Sequence, residues 1–224
     1  MLFIVSTPIG NLKDITLRAL ETLKAVDLIA AEDTRHTKIL LDHYQIATPT
    51  TSYFEHNQVK KADYLLGLLK QGKNIALVTD AGTPGISDPG YVLINLAKKN
   101  AVPMTVIPGP TALIAALSLS GLPTDSFIFE GFLPVKPAAR RKELEQWKGE
   151  KRTVIFYESP YRIAKTLKDI AEILDDPYVL CARELTKKFE EVVEGRANEL
   201  LQHPAITKPR GEFVVLLNLR IKDI

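Results

Sequence analysis

Short runs of aliphatic and β-branched residues alternate along the first half of the chain with longer stretches in which apolar residues recur every three or four positions. The short runs are typical of buried strands, and the longer stretches of amphipathic helices. Strands are predicted at residues 2–6, 26–31, 51–53, 74–79 and 103–107. Helices are predicted at residues 16–25, 34–43, 57–71, 90–99 and 110–120, the third closed by Gly72. Strands that alternate with helices predict a mainly parallel sheet covered by helices.

The second half of the chain continues this alternation less regularly. The sequence Gly-Leu-Pro at residues 121–123 marks a break. Beyond it, strands are predicted at residues 126–130, 153–157, 178–182, 191–194 and 212–219. Helices are predicted at residues 137–147, 161–174 and 197–201. We therefore expect an α/β protein with two lobes, residues 1–112 and 113–224.

The composition is that of an ordinary globular protein. Of the 224 residues, 46% are hydrophobic and 25% are charged, which excludes a disordered or fibrous chain. The formal net charge of +2 is too small to indicate a nucleic-acid partner by itself. The single cysteine, Cys181, excludes a disulfide framework, and we expect it to be a buried small hydrophobe rather than a catalytic thiol.

The sequence also bears on metals and on location. The four histidines are scattered without metal-ligand spacing, so no metal is expected. The N-terminus lacks the pattern of a signal peptide, and no apolar run is long enough to span a bilayer. We expect a cytoplasmic protein without a membrane partner.

Parallel α/β sheets bind ligands beyond the carboxyl ends of their strands, which directs attention to four loops. These are residues 6–11, 32–35, 80–90 and 108–112. The third, DAGTPGISDPG, has three glycines and two prolines, a composition that brings backbone amides close to a ligand and stiffens the loop. We interpret it as a ligand loop, although a long structural turn has the same composition. In the second loop, a structural explanation is as strong as a functional one, because Asp33 or Thr34 could be the N-cap of the following helix.

Standard nucleotide and hydrolase motifs do not fit these loops. The position of the dinucleotide fingerprint after the first strand reads STPIGN, without the required glycines. Residues 67–73 spell GxxxxGK, but Asn74 follows and the order is helix, turn, strand, the reverse of a P-loop. A GxSxG elbow is absent. Dinucleotide-dependent oxidoreductases, kinases, ATPases and serine hydrolases therefore lose support.

A basic stretch follows the sequence GFLP at residues 131–134. Its cations are Lys136, Arg140, Arg141, Lys142, Lys148, Lys151 and Arg152. Its acids are Glu143, Glu145 and Glu150, so its local charge is 7 − 3 = +4. Such a surface suits phosphate contacts, but a solvated helix face is the slightly preferred explanation on sequence alone. Two further charged segments, residues 157–162 and 183–190, lie at predicted strand ends, where site groups and surface ion pairs look alike in a sequence.

Nine segments together resemble one family. They are STPIGN (6–11), EDTR (32–35), SYFEHN (52–57), DAGTPGISDPG (80–90), IPGPTA (107–112), GFLP (131–134), FYESPYR (156–162), ARELTKKFEE (182–191) and PRGEF (209–213). In this order they look like the ribosomal RNA small subunit methyltransferase I group of the tetrapyrrole methylase superfamily. The resemblance runs from Leu2 to about Leu217. The segments DAGTPGISDPG and RELTK distinguish this group from the superfamily's cobalamin and sirohaem enzymes.

The resemblance implies a fold, a cofactor and a substrate. The fold would be two α/β lobes, with a mainly parallel N-terminal sheet, a mixed C-terminal sheet and the cofactor, S-adenosylmethionine, in the cleft between them. The protein would be a homodimer. The reaction would be 2′-O-methylation of a decoding-centre cytidine, cytidine 1402, in the 16S rRNA of the small ribosomal subunit. Members of the group usually continue into a small helical C-terminal segment, whereas this sequence ends at Ile224.

The resemblance and the basic segments also give candidate site residues. Cofactor contacts are expected from Pro8, Asp80, Gly82, Thr83, Pro84, Ile86, Pro108, Thr111, Ala112 and Leu185. RNA contacts are expected from Arg35, Lys136, Arg140, Arg141 and Lys188. The available aromatic residues are Tyr53, Phe54, Tyr157 and Tyr161, for each of which core packing is the favoured alternative.

Methylation of a ribose hydroxyl requires a proton acceptor, because the pKa of the hydroxyl lies far above neutral. The candidates are Asp33, Glu55, His56, Glu158 and Glu184. The first choice is Glu184 with Lys187, because RELTK marks the RNA-directed group. Asp33 and Glu158 complete the catalytic set. Two other readings stay open: a small-molecule methyltransferase acting on a tetrapyrrole, and a non-catalytic RNA-binding protein.

Overall fold

The computed structural model describes residues 1–221 and divides the chain into two compact units. The first comprises Met1–Thr111, and the second begins at Ala112. Among the described residues, none of the helices combines the length and the apolar composition that a membrane span requires.

The first unit is built on five parallel strands. They are β1 (Leu2–Val5), β2 (Leu28–Ala31), β3 (Thr50–Ser52), β4 (Ile75–Val78) and β5 (Met104–Ile107), in the spatial order β3-β2-β4-β1-β5. The helices are α1 (Leu17–Ala25), α2 (Thr34–His43), α3 (Gln58–Lys70) and α4 (Tyr91–Lys99), with a 3₁₀ turn at Leu12–Asp14. The predicted mainly parallel sheet is confirmed.

Helices cover both faces of this sheet, because successive side chains of a strand point to opposite faces. On β4, Ala76 and Val78 join the hydrophobic cluster that contains Leu23 of α1 and Leu40 of α2. The alternate β4 residues Ile75 and Leu77 join a second cluster with buried residues of α3 and α4. The strands buried on both faces therefore read as continuous apolar runs in the sequence.

The ends of these helices follow local rules. The Thr16 side chain accepts a hydrogen bond from the Ala19 amide and so begins α1, and the Asp33 side chain does the same for α2 with the Arg35 amide. Gly72 follows α3 with φ +86°, the left-handed conformation expected for a glycine that closes a helix.

The second unit is built on a mixed sheet. Its strands are β6 (Phe127–Phe132), β7 (Thr153–Glu158), β8 (Tyr178–Arg183), β9 (Glu191–Arg196) and β10 (Phe213–Leu217), in the order β6-β7-β10-β8-β9. Only the β6–β7 pair is parallel among these strands. The helices are α5 (Ala112–Leu119), α6 (Pro137–Gln146), α7 (Ile163–Ile173), α8 (Ala197–Leu200) and α9 (Pro204–Thr207). The expected mixed sheet is confirmed.

One hydrophobic cluster joins this sheet to its helices. It contains Phe156 of β7, Val215 of β10, Leu144 of α6 and Leu167 of α7. Cys181 belongs to it and is fully buried, and burial raises the pKa of its thiol to about 12. The prediction of a buried cysteine is confirmed.

Candidate functional site

The strand order of the first unit creates a crevice at the carboxyl ends of β1 and β4. The chain leaves β1 for α1 on one face of the sheet and leaves β4 for α4 on the other face, although the two strands are neighbours. Their following loops therefore diverge, and such a topological switch point is where open α/β sheets bind ligands.

Hydrogen bonds tie the two diverging loops together at their base. Thr7 and Gly82 exchange both backbone hydrogen bonds, with N–O distances of 2.9 and 3.1 Å. The hydroxyl of Thr7 also donates to the carbonyl of Thr79 at 3.0 Å. Gly82 has φ +85°, a conformation that a residue with a side chain rarely adopts. Glycine at this position therefore allows the β4 loop to fold back onto the β1 loop.

A chain of three hydroxyls joins the β5 loop to the other two. Ser6 Oγ lies 2.8 Å from Thr83 Oγ1, which lies 3.0 Å from Thr111 Oγ1. Gly109 permits this approach, because a Cβ at that position would lie 2.8 Å from the Cβ of Ser6. The three loops thus form one hydrogen-bonded assembly, and two of the predicted cofactor residues, Thr83 and Thr111, share a bond in it.

The remaining part of the β4 loop presents a small-residue surface. Gly85 and Ile86 are exposed, while Pro84 is buried beneath them. Gly90 packs directly on Gly85, since a Cβ on Gly90 would lie 2.8 Å from the Gly85 nitrogen. Of the other predicted contacts in this unit, Pro8 is buried and Pro108 is exposed.

Acidic residues lie at the ends of β2 and β4. The Asp80 amide donates to the Glu32 carboxylate at 3.2 Å, and the Asp33 amide donates to the Asp80 carboxylate at 3.0 Å. Partial burial raises the pKa of Glu32; the hydrogen bond from the Asp80 amide opposes this rise, and the negative charge of Asp80 adds to it. Carboxylates can accept several hydrogen bonds, so this pair could also receive hydroxyl donors from a ligand.

Asp33 is engaged in local interactions. Its carboxylate accepts the Arg35 amide at 2.8 Å and pairs with the Arg35 guanidinium at 2.7 Å. The hydrogen bond from that guanidinium, followed by the one from the amide, holds the pKa of Asp33 well below its ordinary value. A carboxylate with so low a pKa is a weak base, so the geometry favours the helix-cap alternative over the expected catalytic role.

In the second unit, Glu158 is a structural group. It is fully buried and accepts hydrogen bonds from the Ser159 amide at 2.8 Å and the Thr166 hydroxyl at 2.6 Å. Arg162 Nε lies 3.2 Å from the same carboxylate, and Arg162 Nη2 donates to the carbonyl of Leu133 at 2.7 Å. These contacts favour a structural role for Glu158, because its carboxylate has no solvent-facing surface to offer a substrate, and its catalytic role stays a prediction.

Glu184 has a different environment, directly after the last residue of β8. Lys187 Nζ donates to Glu184 Oε1 at 2.9 Å, and the two side chains are 36% and 20% exposed. The backbone of Glu184 is left-handed, with φ +51°, and so is that of Thr186, with φ +67°. Leu185 between them is buried. The predicted pair of Glu184 and Lys187 is thus brought together and reaches the surface.

Ion pairs account for most of the basic stretch. Arg140 is 4% exposed and its guanidinium lies 2.6 Å from the Asp169 carboxylate. Arg141 bridges Asp169 and Glu172. The structure gives Arg140 a structural role, because its guanidinium is buried in an ion pair and does not face solvent, and its predicted RNA contact stays untested.

Further along the stretch, Lys148 pairs with Glu145 and Arg152 pairs with Glu150. Lys136 and Lys142 are exposed, and within residues 1–221 neither has an ion pair. The local charge of +4 therefore overstates the positive surface that a phosphate backbone would meet.

Comparison with known proteins identifies the family. Residues 1–201 match the model of the Tetrapyrrole (Corrin/Porphyrin) Methylases. The ribosomal RNA small subunit methyltransferase I of Thermotoga maritima is 49% identical over 97% of both chains. That of Escherichia coli O157:H7 is 52% identical over 96% of this chain and 77% of its own. The chain belongs to the ribosomal RNA small subunit methyltransferase I family, within the tetrapyrrole methylases.

Solved structures agree with this fold at much lower identity. The methyltransferase CobJ has a TM-score of 0.71 at 18% identity, covering 97% of this chain and 93% of its own. Diphthine synthase has a TM-score of 0.71 at 16% identity, covering 97% and 89%. At such identities the likeness concerns the fold alone.

Sequence reasoning did not identify several residues of the hydrogen-bonded loops that follow β1, β4 and β5. Ser6 and Thr7, both buried, carry the hydroxyls that join the loops. The available signal was weak: Ser6 ends the predicted strand at residues 2–6 and Thr7 follows it, in a loop already singled out. Gly109 had no signal, because its requirement depends on the position of Ser6 in space.

The other candidates of the sequence differ in exposure. Tyr53 is fully buried and its hydroxyl accepts the Leu93 amide at 3.0 Å, as the core-packing alternative stated. Phe54 and Tyr161 are 38% and 90% exposed. Glu55 and His56 are exposed too, and the rings of His56 and Phe54 meet edge to face at 6.4 Å. Within residues 1–221, no three His, Cys, Asp or Glu residues are grouped in a way that could hold a metal ion.

Proposed function

We propose that this protein transfers a methyl group from S-adenosylmethionine to the ribose 2′-hydroxyl of a decoding-centre cytidine, cytidine 1402, in 16S rRNA. The observation that carries the proposal is the 49% identity with a ribosomal RNA small subunit methyltransferase I over 97% of both chains. We place the activity in the cytoplasm, where small ribosomal subunits are assembled, and we keep the homodimer as a prediction.

The residues around the crevice at β1 and β4 suit the chemistry of such a cofactor. Exposed Gly85 and Ile86 offer an apolar, close-approach surface for a flat ring system, and Pro108 in the β5 loop is exposed as well. The Glu32 and Asp80 carboxylates suit ribose hydroxyls, which are hydrogen-bond donors. The proposed cofactor residues of these loops are Pro8, Asp80, Gly82, Thr83, Pro84, Ile86, Pro108 and Thr111. Ala112 and Leu185 stay in the set on the family resemblance alone.

The proposed reaction requires only one acid–base group of the protein, a proton acceptor for the ribose hydroxyl. S-adenosylmethionine supplies an electrophilic methyl group on a positively charged sulfur. The ribose hydroxyl becomes more acidic as its oxygen forms the new bond, so a carboxylate can accept its proton late in the reaction. Glu184 fits this role, because its carboxylate is partly exposed and Lys187 holds only Oε1. Most of the remaining rate enhancement would come from alignment.

The proposed RNA contacts lie on exposed cations and aromatic rings of the second unit. Lys136 and Lys188 are exposed, and Lys188 Nζ lies 5.6 Å from the centre of the Phe189 ring. Phe189 and Tyr161 are 67% and 90% exposed, so either ring could stack on an unpaired base. Arg35 is 90% exposed but paired with Asp33, and Arg141 is shared by two carboxylates, so both are weaker candidates.

The test is methyl transfer to defined acceptors. The purified protein would be incubated with labelled S-adenosylmethionine and small subunits from a strain that lacks the modification, and in parallel with naked 16S rRNA and with a porphyrinogen. We expect ribose-linked label at one decoding-centre nucleotide. Label on the porphyrinogen alone would favour a tetrapyrrole methyltransferase, and failure to bind S-adenosylmethionine would overturn the enzyme proposal.

A further inference from the structure

The Glu184 side chain packs directly on the Cα of Gly211. Gly211 lies in the segment before β10, 27 residues further along the chain. A Cβ added to Gly211 would overlap Cγ, Cδ and Oε1 of Glu184, so the carboxylate occupies the space that any other residue at position 211 would fill. No other described glycine for which neighbours were found meets a carboxylate so closely.

The backbone around this contact is held in an uncommon conformation from both sides. Glu184, Thr186 and Gly211 are all left-handed, with φ of +51°, +67° and +69°. The Glu184 amide donates to the Glu212 carbonyl at 3.3 Å, and the Lys187 amide donates to the Glu184 carbonyl at 2.9 Å. Left-handed non-glycine residues persist only where the surroundings fix them, and they cluster at functional sites.

Two contacts restrict the position of the Glu184 carboxylate. Lys187 Nζ holds Oε1 at 2.9 Å, and the bare Cα of Gly211 lies beneath the rest of the side chain. A methyl group on that Cα would push the carboxylate away from its position beside Lys187. The direction of the carboxylate therefore depends on the absence of a side chain at position 211.

We propose that Gly211 is a positioning residue, which aims the Glu184 carboxylate at the ribose hydroxyl by leaving space for it. This inference rests on the proposed function, in which Glu184 accepts the proton. Gly211 does not touch the substrate in this role. It acts through Glu184, and a displacement of about 1 Å at a catalytic group can lower turnover about a hundredfold.

A simpler explanation is that Gly211 is needed only for its left-handed backbone. Gly149, in the same unit, separates the two explanations. It has φ +84° and no atom within 4 Å of the position that a Cβ would take. The Gly149→Ala variant therefore introduces similar backbone strain without displacing any side chain, and we expect its kcat to equal that of the unmodified protein.

The decisive experiment is a double-mutant cycle with the full chain. We expect Gly211→Ala to lower kcat about 30- to 100-fold at unchanged S-adenosylmethionine affinity, and to lower it less than about twofold in the Glu184→Gln background. Equal losses in both backgrounds would overturn the proposal, because Gly211 would then act independently of Glu184. Full turnover by Glu184→Gln would overturn it as well, while leaving methyl transfer itself intact.

Stability and structure provide readouts that do not depend on turnover. If the overlap with Glu184 is the cause, Gly211→Ala should lower the melting temperature less in the Glu184→Ala background, where the overlapping atoms are gone. A crystal structure of Gly211→Ala should show the carboxylate displaced from Lys187. If the carboxylate is displaced in Gly211→Ala but the unmodified protein methylates no small subunit, the proposed function alone is refuted. An undisplaced one would refute the role of Gly211 alone.

Discussion

The ends of β7 and β8 each carry a glutamate, and the structure gives the two carboxylates opposite environments. Glu158, the last residue of β7, is fully buried and accepts hydrogen bonds from an amide and a hydroxyl beside a guanidinium. Glu184, which follows β8, is 20% exposed and is paired with Lys187 through one oxygen. A position at a strand end is therefore not enough to identify a reactive group. Solvent access and a free lone pair separate the two.

The largest expected effect comes from exchanging the Glu184 carboxylate for an amide. Glu184→Gln keeps the shape of the side chain and removes the basic oxygen, so we expect kcat to fall about 10²- to 10⁴-fold. The affinity for S-adenosylmethionine and the melting temperature should stay unchanged. Single-turnover methylation of small subunits measures the loss of turnover, and titration calorimetry measures the affinity for S-adenosylmethionine.

The control for this variant is Glu194→Gln, an exposed glutamate on β9. It removes the same charge from the same sheet at a position without a predicted role, and its kcat should stay within about twofold of the unmodified protein. A similar loss in both variants would mean that net charge, through RNA affinity, explains the effect and that Glu184 is not the base.

The second effect is on stability and concerns the other carboxylate. Glu158→Ala leaves the Arg162 guanidinium without its buried partner, which costs about 3–5 kcal/mol of the free energy of unfolding. Urea unfolding measures this loss, and Glu194→Ala should change the same quantity by less than about 0.5 kcal/mol. The surviving folded fraction should retain its turnover per molecule. A variant of normal stability that no longer methylates RNA would return Glu158 to the catalytic set.

The hydroxyl chain of the first unit gives a smaller effect. Ser6→Ala removes the 2.8 Å contact with Thr83 Oγ1, which weakens the attachment of the β4 loop to the other loops. A single hydrogen bond contributes about 0.5–1.5 kcal/mol, so we expect the Kd for S-adenosylmethionine to rise about 3- to 10-fold.

Thr22 supplies the matched control for that titration. Its hydroxyl also makes one hydrogen bond, to the backbone carbonyl of Arg18, but on the exposed surface of α1. Thr22→Ala should bind the cofactor like the unmodified protein. If Ser6→Ala also binds normally, the crevice at β1 and β4 does not hold the cofactor through Thr83.

The architecture could be predicted because its signals are local. Within residues 1–221, the ten strands and the helices α1–α8 lie within two residues of the predicted bounds, since most buried elements are continuous or periodic apolar runs. The 3₁₀ turn at Leu12–Asp14 and the helix α9 were missed. Three or four residues are too few to show a clear period, although α8, as short as α9, was predicted. Strand β6 extends to Phe132 through a bulge at Gly131, which is left-handed, so two predicted loop residues belong to the sheet.

The site was predictable only as a set of loops, because the state of each side chain depends on distant partners. Arg140 looks like a surface cation in sequence and is buried by Asp169, 29 residues away. Glu158 looks like a site acid and is buried beside Thr166, one helix beyond its strand. Gly211, before β10, meets Glu184, which follows the neighbouring strand β8. Sequence patterns record which residues are polar, whereas pairing and burial are properties of the fold.

The smallest expected effect tests a third carboxylate, Asp33, at the end of β2. Asp33→Asn keeps the N-cap oxygen of α2 and removes the charge that pairs with Arg35, so we expect kcat to stay within about twofold. Because the pKa of Asp33 is lowered from 3.8 in the folded protein, its ion pair stabilises the fold above that pH and is lost as the pH falls through the lowered value. The difference in unfolding free energy between the two proteins should therefore be constant near neutral pH and shrink below about pH 4. If Asp33→Asn instead loses turnover about a hundredfold at unchanged cofactor affinity, Asp33 accepts the proton, and the contrast between Glu158 and Glu184 identifies the wrong base.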